Sequence, residues 1–185
     1  AESLWRAKAQ ADEETRLINT PDRIDAIAAS IAAAGKVFLI GLGEDSVPAQ
    51  AFAMKLSLLG IATVRQTDSV MMSMSVAAAE RGDVLILFSE QGQQPTLYQL
   101  CRQFRERHGK VISVTRHTAN PLRAHADASL LISAHDERMH VEPLLYQSAL
   151  QHLLDVIFVL LCENGKGRLS KLEANLERLR HILEP

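Results

Sequence analysis

Apolar and polar positions along this chain follow two rhythms. KVFLIG (36–41), DVLILFS (83–89) and KVISVT (110–115) are apolar almost without interruption. Each is too short for a helix and rich in Val, Ile and Leu, which predicts strands buried on both faces. ATVRQ (62–66) and ASLLIS (128–133) are weaker members of the same set. Between them lie VPAQAFAMKLSLLG, SVMMSMSVAAAERG and QPTLYQLCRQFRERHG, helical segments each closed by glycine. The succession of βα units predicts an α/β fold: a doubly wound, five-stranded parallel sheet flanked by helices in three layers, flavodoxin-like.

Further helices flank this core. Thr20, Pro21 and Asp22 form a helix start, and Ile24, Ile27, Ala28 and Ile31 then share one face up to Gly35. The segment Glu142 to Cys162 is apolar around most of its circumference, which predicts burial on several sides. RLSKLEANLERLRHIL places Leu169, Leu172, Leu176, Leu179 and Leu183 three and four apart, a narrow seam for one partner helix. Glu2 to Ile18 carries a weak stripe of Leu4, Ala7, Ala11 and Ile18. The expected organisation is an N-terminal helix (1–19), a main domain (20–165) and a C-terminal amphipathic helix (166–185).

Composition narrows the function. With 47% hydrophobic residues and mixed charge, the chain can build a packed core. A formal net charge of −2 gives no general attraction to nucleic acid, and five Phe, two Tyr and one Trp make few stacking platforms. Cys101 and Cys162 lack metal-ligand spacing and are expected to be reduced thiols in a cytoplasmic protein. No signal peptide is expected. No membrane span is expected either, because Leu144–Leu161 is interrupted by Gln147, Gln151, His152 and Asp155. His117, His125, His135 and His140 contain no H-x-x-x-H pair, so no metal and no cofactor is expected.

Ligands of open α/β sheets bind beyond the carboxyl ends of the strands. The first such loop is GLGEDSVP, where Gly41 and Gly43 let the backbone approach a ligand and Ser46 offers a hydroxyl. Its helix start favours an anion, yet Glu44 and Asp45 bring negative charge to the same place. Asp45 is expected to cap the following helix. The second loop, FSEQGQQPT, offers Ser89, Gln91, Gly92, Gln93 and Gln94. A dinucleotide-binding reading is weak, since Ser46 stands where the third glycine of that fingerprint belongs. Glu142, opening the long helix, is read as a dipole partner or a passive ligand contact. Arg65, Arg116 and Arg123 could neutralise an anion, and Arg116 alone follows a strand at the ligand-bearing edge. His152 and Asp155, three apart, read as a pair or as packing, and Met71, Met72 and Met74 as core filler.

Taken together, FLIGLGEDS, AFAMKLSLLG, DSVMMSMSVAAAERGDVLILFSEQGQ, VISVTRHTANPLRAHADASLLI and LYQSALQHLLDVIFVLL resemble the SIS (sugar isomerase) domain of RpiR-family transcriptional regulators, over about residues 20–162. The resemblance implies a loop of the form S-x-S-G-x-T that holds a sugar phosphate. Ser89 matches its first serine and Gly92 its glycine, while Gln91 and Gln94 replace the second serine and the threonine. In the first loop, Glu44 and Asp45 replace small or hydroxyl residues. By resemblance the expected ligand is a phosphosugar or related metabolite, and the assembly a homodimer or tetramer. DNA would be read only through a domain absent from this chain, with 1–19 as the linker helix. A sugar-phosphate isomerase on the same fold, or a dimerisation domain that has lost its ligand, are the other readings.

Overall fold

The structure, a computed structural model, describes residues 1–165 and 167–184. The expected boundary at 166 and the final residue 185 lie outside them. Five strands, β1 (Val37–Gly41), β2 (Thr63–Arg65), β3 (Val84–Phe88), β4 (Lys110–Arg116) and β5 (Ala128–Ile132), form one parallel sheet in the order β2-β1-β3-β4-β5. This is the flavodoxin-like order, and the chain reverses direction across the sheet between β1 and β3. The helices are α1 (Glu2–Ile18), α2 (Pro21–Ala33), α3 (Ser46–Leu58), α4 (Ser69–Ala77), α5 (Pro95–Glu106), α6 (Pro121–His125), α7 (Glu142–Asn164) and α8 (Arg168–Leu183).

The uninterrupted apolar strands have their physical reason in two cores. Val37, Leu39, Val84, Ile86, Phe88, Ile112 and Val114 face one side, under α1, α2, α3 and α7. Phe38, Ile40, Leu85, Leu87 and Val111 face the other, under α4, α5 and α6. With side chains alternating along each strand, a sheet covered on both faces must be apolar at every position. All five residues of β1 and all five of β3 are buried.

Local sequence sets the helix ends. Thr20 accepts a hydrogen bond from the Arg23 N–H at 3.4 Å, with Pro21 in the first turn as expected. Asp68 caps α4 by accepting from the N–H groups of Val70 and Met71, each at 3.0 Å. Of the three methionines of α4 only Met72 fills the core, beside Val76, while Met71 and Met74 are exposed, so the expectation of three core methionines is corrected. The α4 helix is short and lies with one face on the sheet.

The 23-residue α7 has a window of mean hydropathy 1.6 and, by length and composition, could cross a membrane. That corrects the expectation that no stretch is long and apolar enough. Here its Leu145, Leu150, Leu153, Leu154, Ile157 and Leu161 are buried in the core beneath the sheet. The α1 helix lies along α7 and is stitched to β5. Asn19 donates to the Leu131 carbonyl (2.6 Å) and accepts from its N–H (3.0 Å), and the Thr15 hydroxyl accepts from the Ser133 N–H (3.0 Å). His152 pairs with Asp12 of α1 at 3.3 Å, not with Asp155, which instead meets Lys55 at 3.5 Å. Arg168 and Asn175 tie α8 to the carbonyls of Ala32 (2.9 Å) and Leu58 (2.9 Å), leaving no α8 residue buried.

Candidate functional site

At the carboxyl edge of the sheet, the loops after β1 and β3 meet the first turns of α7 around a cavity of about 600 Å³. The first loop folds tightly. After Gly41 the chain makes a single 3-10 turn, Gly43–Asp45, before α3. A Cβ on Gly41 would overlap the Asp45 carbonyl, so this glycine permits the fold-back. Ser46 donates its hydroxyl to the Gly43 carbonyl at 2.6 Å and is spent within the turn.

Asp45 stands at the N-cap position of α3, but its carboxylate makes no capping bond. It reaches across the cleft floor and accepts a hydrogen bond from the Glu90 N–H at 3.2 Å. The capping role expected for Asp45 is therefore corrected: it ties the two loops together. Burial pushes its carboxyl up to about 6; the Glu90 N–H opposes this, and the Glu90 and Glu44 carboxylates add to it.

The second loop closes on itself. Ser89 is buried; its hydroxyl donates to the Gln94 side-chain oxygen (3.2 Å) and accepts from the Gly92 N–H (3.0 Å). Gly92 has a φ of +65°, and a Cβ there would overlap the Asn120 side chain. Asn120 in turn donates to the Thr115 hydroxyl (3.0 Å) and accepts from the Arg123 N–H (2.9 Å), which caps α6.

Behind the second loop lies an ionic strut. Arg116, 13% exposed, sits 3.5 Å from Glu90 and 3.4 Å from Glu142, and donates to the Ala134 carbonyl at 2.9 Å. The other Glu142 oxygen accepts from the Asp136 N–H (3.3 Å) and lies 3.6 Å from His135. This cation, the best-placed of the three arginines for an anionic ligand, is held by protein carboxylates. Arg123 donates to the Thr118 carbonyl at 3.0 Å, and Arg65 is exposed at the end of β2, the sheet's edge strand.

Of the residues expected at the site, Glu44, Ser89, Gln91 and Gln94 line the cavity. Gly41, Gly43, Ser46 and Gly92 shape its loops, Gln93 is exposed beside it, and Glu142 belongs to the strut behind. Sequence reasoning did not bring Glu90, Tyr146, Gln147 and Gln151 to the cavity wall. A signal for Tyr146 was present, since it lies one helical turn beyond Glu142 on a helix start that faces the ligand edge. Tyr146 is 3% exposed, and its hydroxyl has no hydrogen-bond partner among the described residues. Burial raises its phenol well above the ordinary value, reinforced by the charges of Asp45 and Glu90 and opposed by Arg116. Among the described residues, no group of three or more His, Cys, Asp or Glu could hold a metal ion.

This fold and loop arrangement match a known family. The SIS domain model fits residues 30–160. The chain belongs to the SIS domain family. It is 25% identical over 180 residues to the HTH-type transcriptional regulator YfhH of Escherichia coli, covering 97% of this chain and 62% of that protein. The chain thus spans under two thirds of that relative's length. Two solved structures share its fold closely. The NanR protein of Vibrio vulnificus complexed with ManNAc-6P superposes with a TM-score of 0.90 at 16% identity, covering all of this chain (100%) and 70% of that one. The sugar isomerase domain of an RpiR transcription factor from Sphaerobacter thermophilus superposes with a TM-score of 0.83 at 18% identity, over 97% of each. Phosphosugar isomerases also share the fold. The three-layer SIS architecture expected from the sequence is therefore the one observed.

Proposed function

We propose that this chain is the effector-sensing and oligomerisation domain of a bacterial RpiR-family transcriptional regulator, acting in the cytoplasm. Its effector is a phosphosugar or related carbohydrate-derived metabolite, bound in the cleft between the β1–α3 loop, the β3–α5 loop and α7. The family match, with a relative that is an HTH-type regulator of greater length, carries this reading. DNA would be read by a domain outside this chain, with 1–19 as its linker, 20–165 as the sensor and 166–185 as an appended helix.

The geometry suggests how binding is relayed. One helix, α7, lines the cleft through Tyr146, Gln147, Leu150 and Gln151 and packs along α1 through its other face. A ligand that prefers one position of α7 shifts the α1 it carries, and so the spacing of DNA-binding domains in a homodimer or tetramer. Exposed Met54 and Val159, with Leu169, Leu176 and Leu179 of α8, supply apolar surface for subunit contact.

An isomerase needs an acid–base pair facing its substrate. Glu142, the residue nearest to that role, is engaged by Arg116 outside the cavity wall, which favours the sensor. The test is operator affinity of the full-length regulator with and without a panel of sugar phosphates and sugars. A ligand-dependent change supports the proposal. Unchanged affinity, together with turnover of a sugar phosphate that is lost in Glu142→Gln, would replace it with the enzyme.

A further inference from the structure

The cleft departs in charge from a phosphate site. Three carboxylates, those of Glu44, Asp45 and Glu90, line it, and no Lys, Arg or His is among its lining residues. The nearest guanidinium, Arg116, is committed to Glu90 and Glu142. The Ser89 hydroxyl, which a phosphate loop would aim at its ligand, is consumed by Gln94 and Gly92. A phosphate entering here meets like charge and finds its hydroxyl donor already engaged.

A second feature points to a ligand independently of charge. The Tyr146 hydroxyl, on a residue of the cleft wall, is buried with no partner among the described residues, although an unpaired buried hydroxyl is costly. Burial first, then the charges of the Asp45 and Glu90 carboxylates, raise its phenol, which places the hydroxyl within the influence of the acids that line the cleft. Glutamine amides at Gln94 and Gln147 complete a wall suited to neutral hydroxyl groups.

We infer that the cleft binds a small polyhydroxylated amine without a phosphate, an amino-sugar-like ligand. Its ammonium is held by Asp45 and Glu44, with the Glu90 carboxylate, which it shares with Arg116, beside them, and the Tyr146 hydroxyl bonds one of its oxygens. This rests on reading the cleft as the effector site. Charged hydrogen bonds of this kind discriminate strongly, because removing the ammonium leaves carboxylates facing a neutral group. Asp45 must be ionised to contribute. Its neighbours in the cleft are Glu44, Glu90 and Tyr146, with Arg116 behind Glu90, so amine affinity falls as pH drops below about 6.

The experiment is calorimetric titration of this chain with glucosamine, galactosamine and mannosamine, with glucose, and with glucosamine-6-phosphate and glucose-6-phosphate. At least one free hexosamine is expected to bind about tenfold or more tightly than its unaminated sugar, with no gain from the phosphate. Asp45→Asn and Glu90→Gln should each weaken that amine about ten- to hundredfold, and Tyr146→Phe about tenfold. Glucose-6-phosphate binding as well as any amine, and more tightly in Asp45→Asn, would overturn the amine and leave the effector reading standing. Amine binding that survives all three substitutions would place it elsewhere and overturn the site. No binding of any of the six would overturn both the amine and the carbohydrate effector.

Discussion

Two acidic places at one sheet edge meet opposite fates. Around Glu142 the negative charge is compensated: Arg116 spans Glu90 and Glu142, His135 stands near, and the Asp136 N–H donates to the carboxylate. Around Asp45 the carboxylate's one hydrogen bond among the described residues comes from a backbone N–H, and burial, reinforced by the Glu90 and Glu44 carboxylates, holds its proton up to about 6. The strut accounts for its carboxylates, although the Arg116 Nε is itself buried without a partner among the described residues. Among the described residues, the cleft keeps the Asp45 and Glu44 carboxylates without a cation and a buried Tyr146 hydroxyl without a partner. A group whose needs are met inside the protein explains the fold, and a group whose needs are unmet points outward.

Removing the strut's cation is the strongest way to break this comparison. Arg116→Ala leaves Glu90 and Glu142 facing each other without a cation, and should cost about 3 kcal/mol in urea unfolding, as for other largely buried pairs. A loss no larger than a surface substitution's would show that the strut is not structural.

Asp45→Asn acts in the other direction. It keeps an acceptor for the Glu90 N–H and deletes the uncompensated charge, so stability at pH 7 should rise by about 1 kcal/mol, partial solvent contact limiting the gain. The sign follows from the raised carboxyl. The folded state holds the Asp45 proton up to about 6 while the unfolded chain releases it near the ordinary 3.8. The Asp45 contribution is therefore full below about pH 4 and is lost as pH rises through about 6. Thermal melts from pH 4 to 7 should show that slope in the native chain and a shallower one in Asp45→Asn. Equal slopes would mean Asp45 does not carry it.

Tyr146→Phe is the smallest effect and the most selective. Deleting an unpartnered buried hydroxyl should leave stability unchanged or raise it by about 0.5 kcal/mol. A clear loss in the melting temperature would reveal a hydrogen bond in the unliganded protein and remove the argument that this hydroxyl awaits a ligand.

The sheet was legible because burial on both faces writes itself into local sequence. KVFLIG, DVLILFS and KVISVT needed no knowledge of partners to be read as strands. The edge strand β2, three residues with an exposed end, left a fainter trace. Part of the cavity lining was legible for the same reason: Glu44, Ser89, Gln91 and Gln94 follow strand ends and the fold rule brings them to one edge. The rest depends on contacts far apart in sequence. Asp45 bonds a backbone group 45 residues away, and nothing local distinguishes that from a cap. Arg116 looked free for a ligand because its two carboxylates come from β3's loop and from α7. Met71 and Met74 read as core because composition does not say which face of α4 meets the sheet.

The central claim is that Asp45 carries a buried charge without a cation on the floor of the cleft proposed to hold the effector. Carboxyl-carbon NMR titration of Asp45 tests it most directly. The account predicts a midpoint near 6 in the unliganded chain, moving lower when a bound hexosamine supplies the missing cation. A midpoint at the ordinary aspartate value, unmoved by any amine, would contradict it.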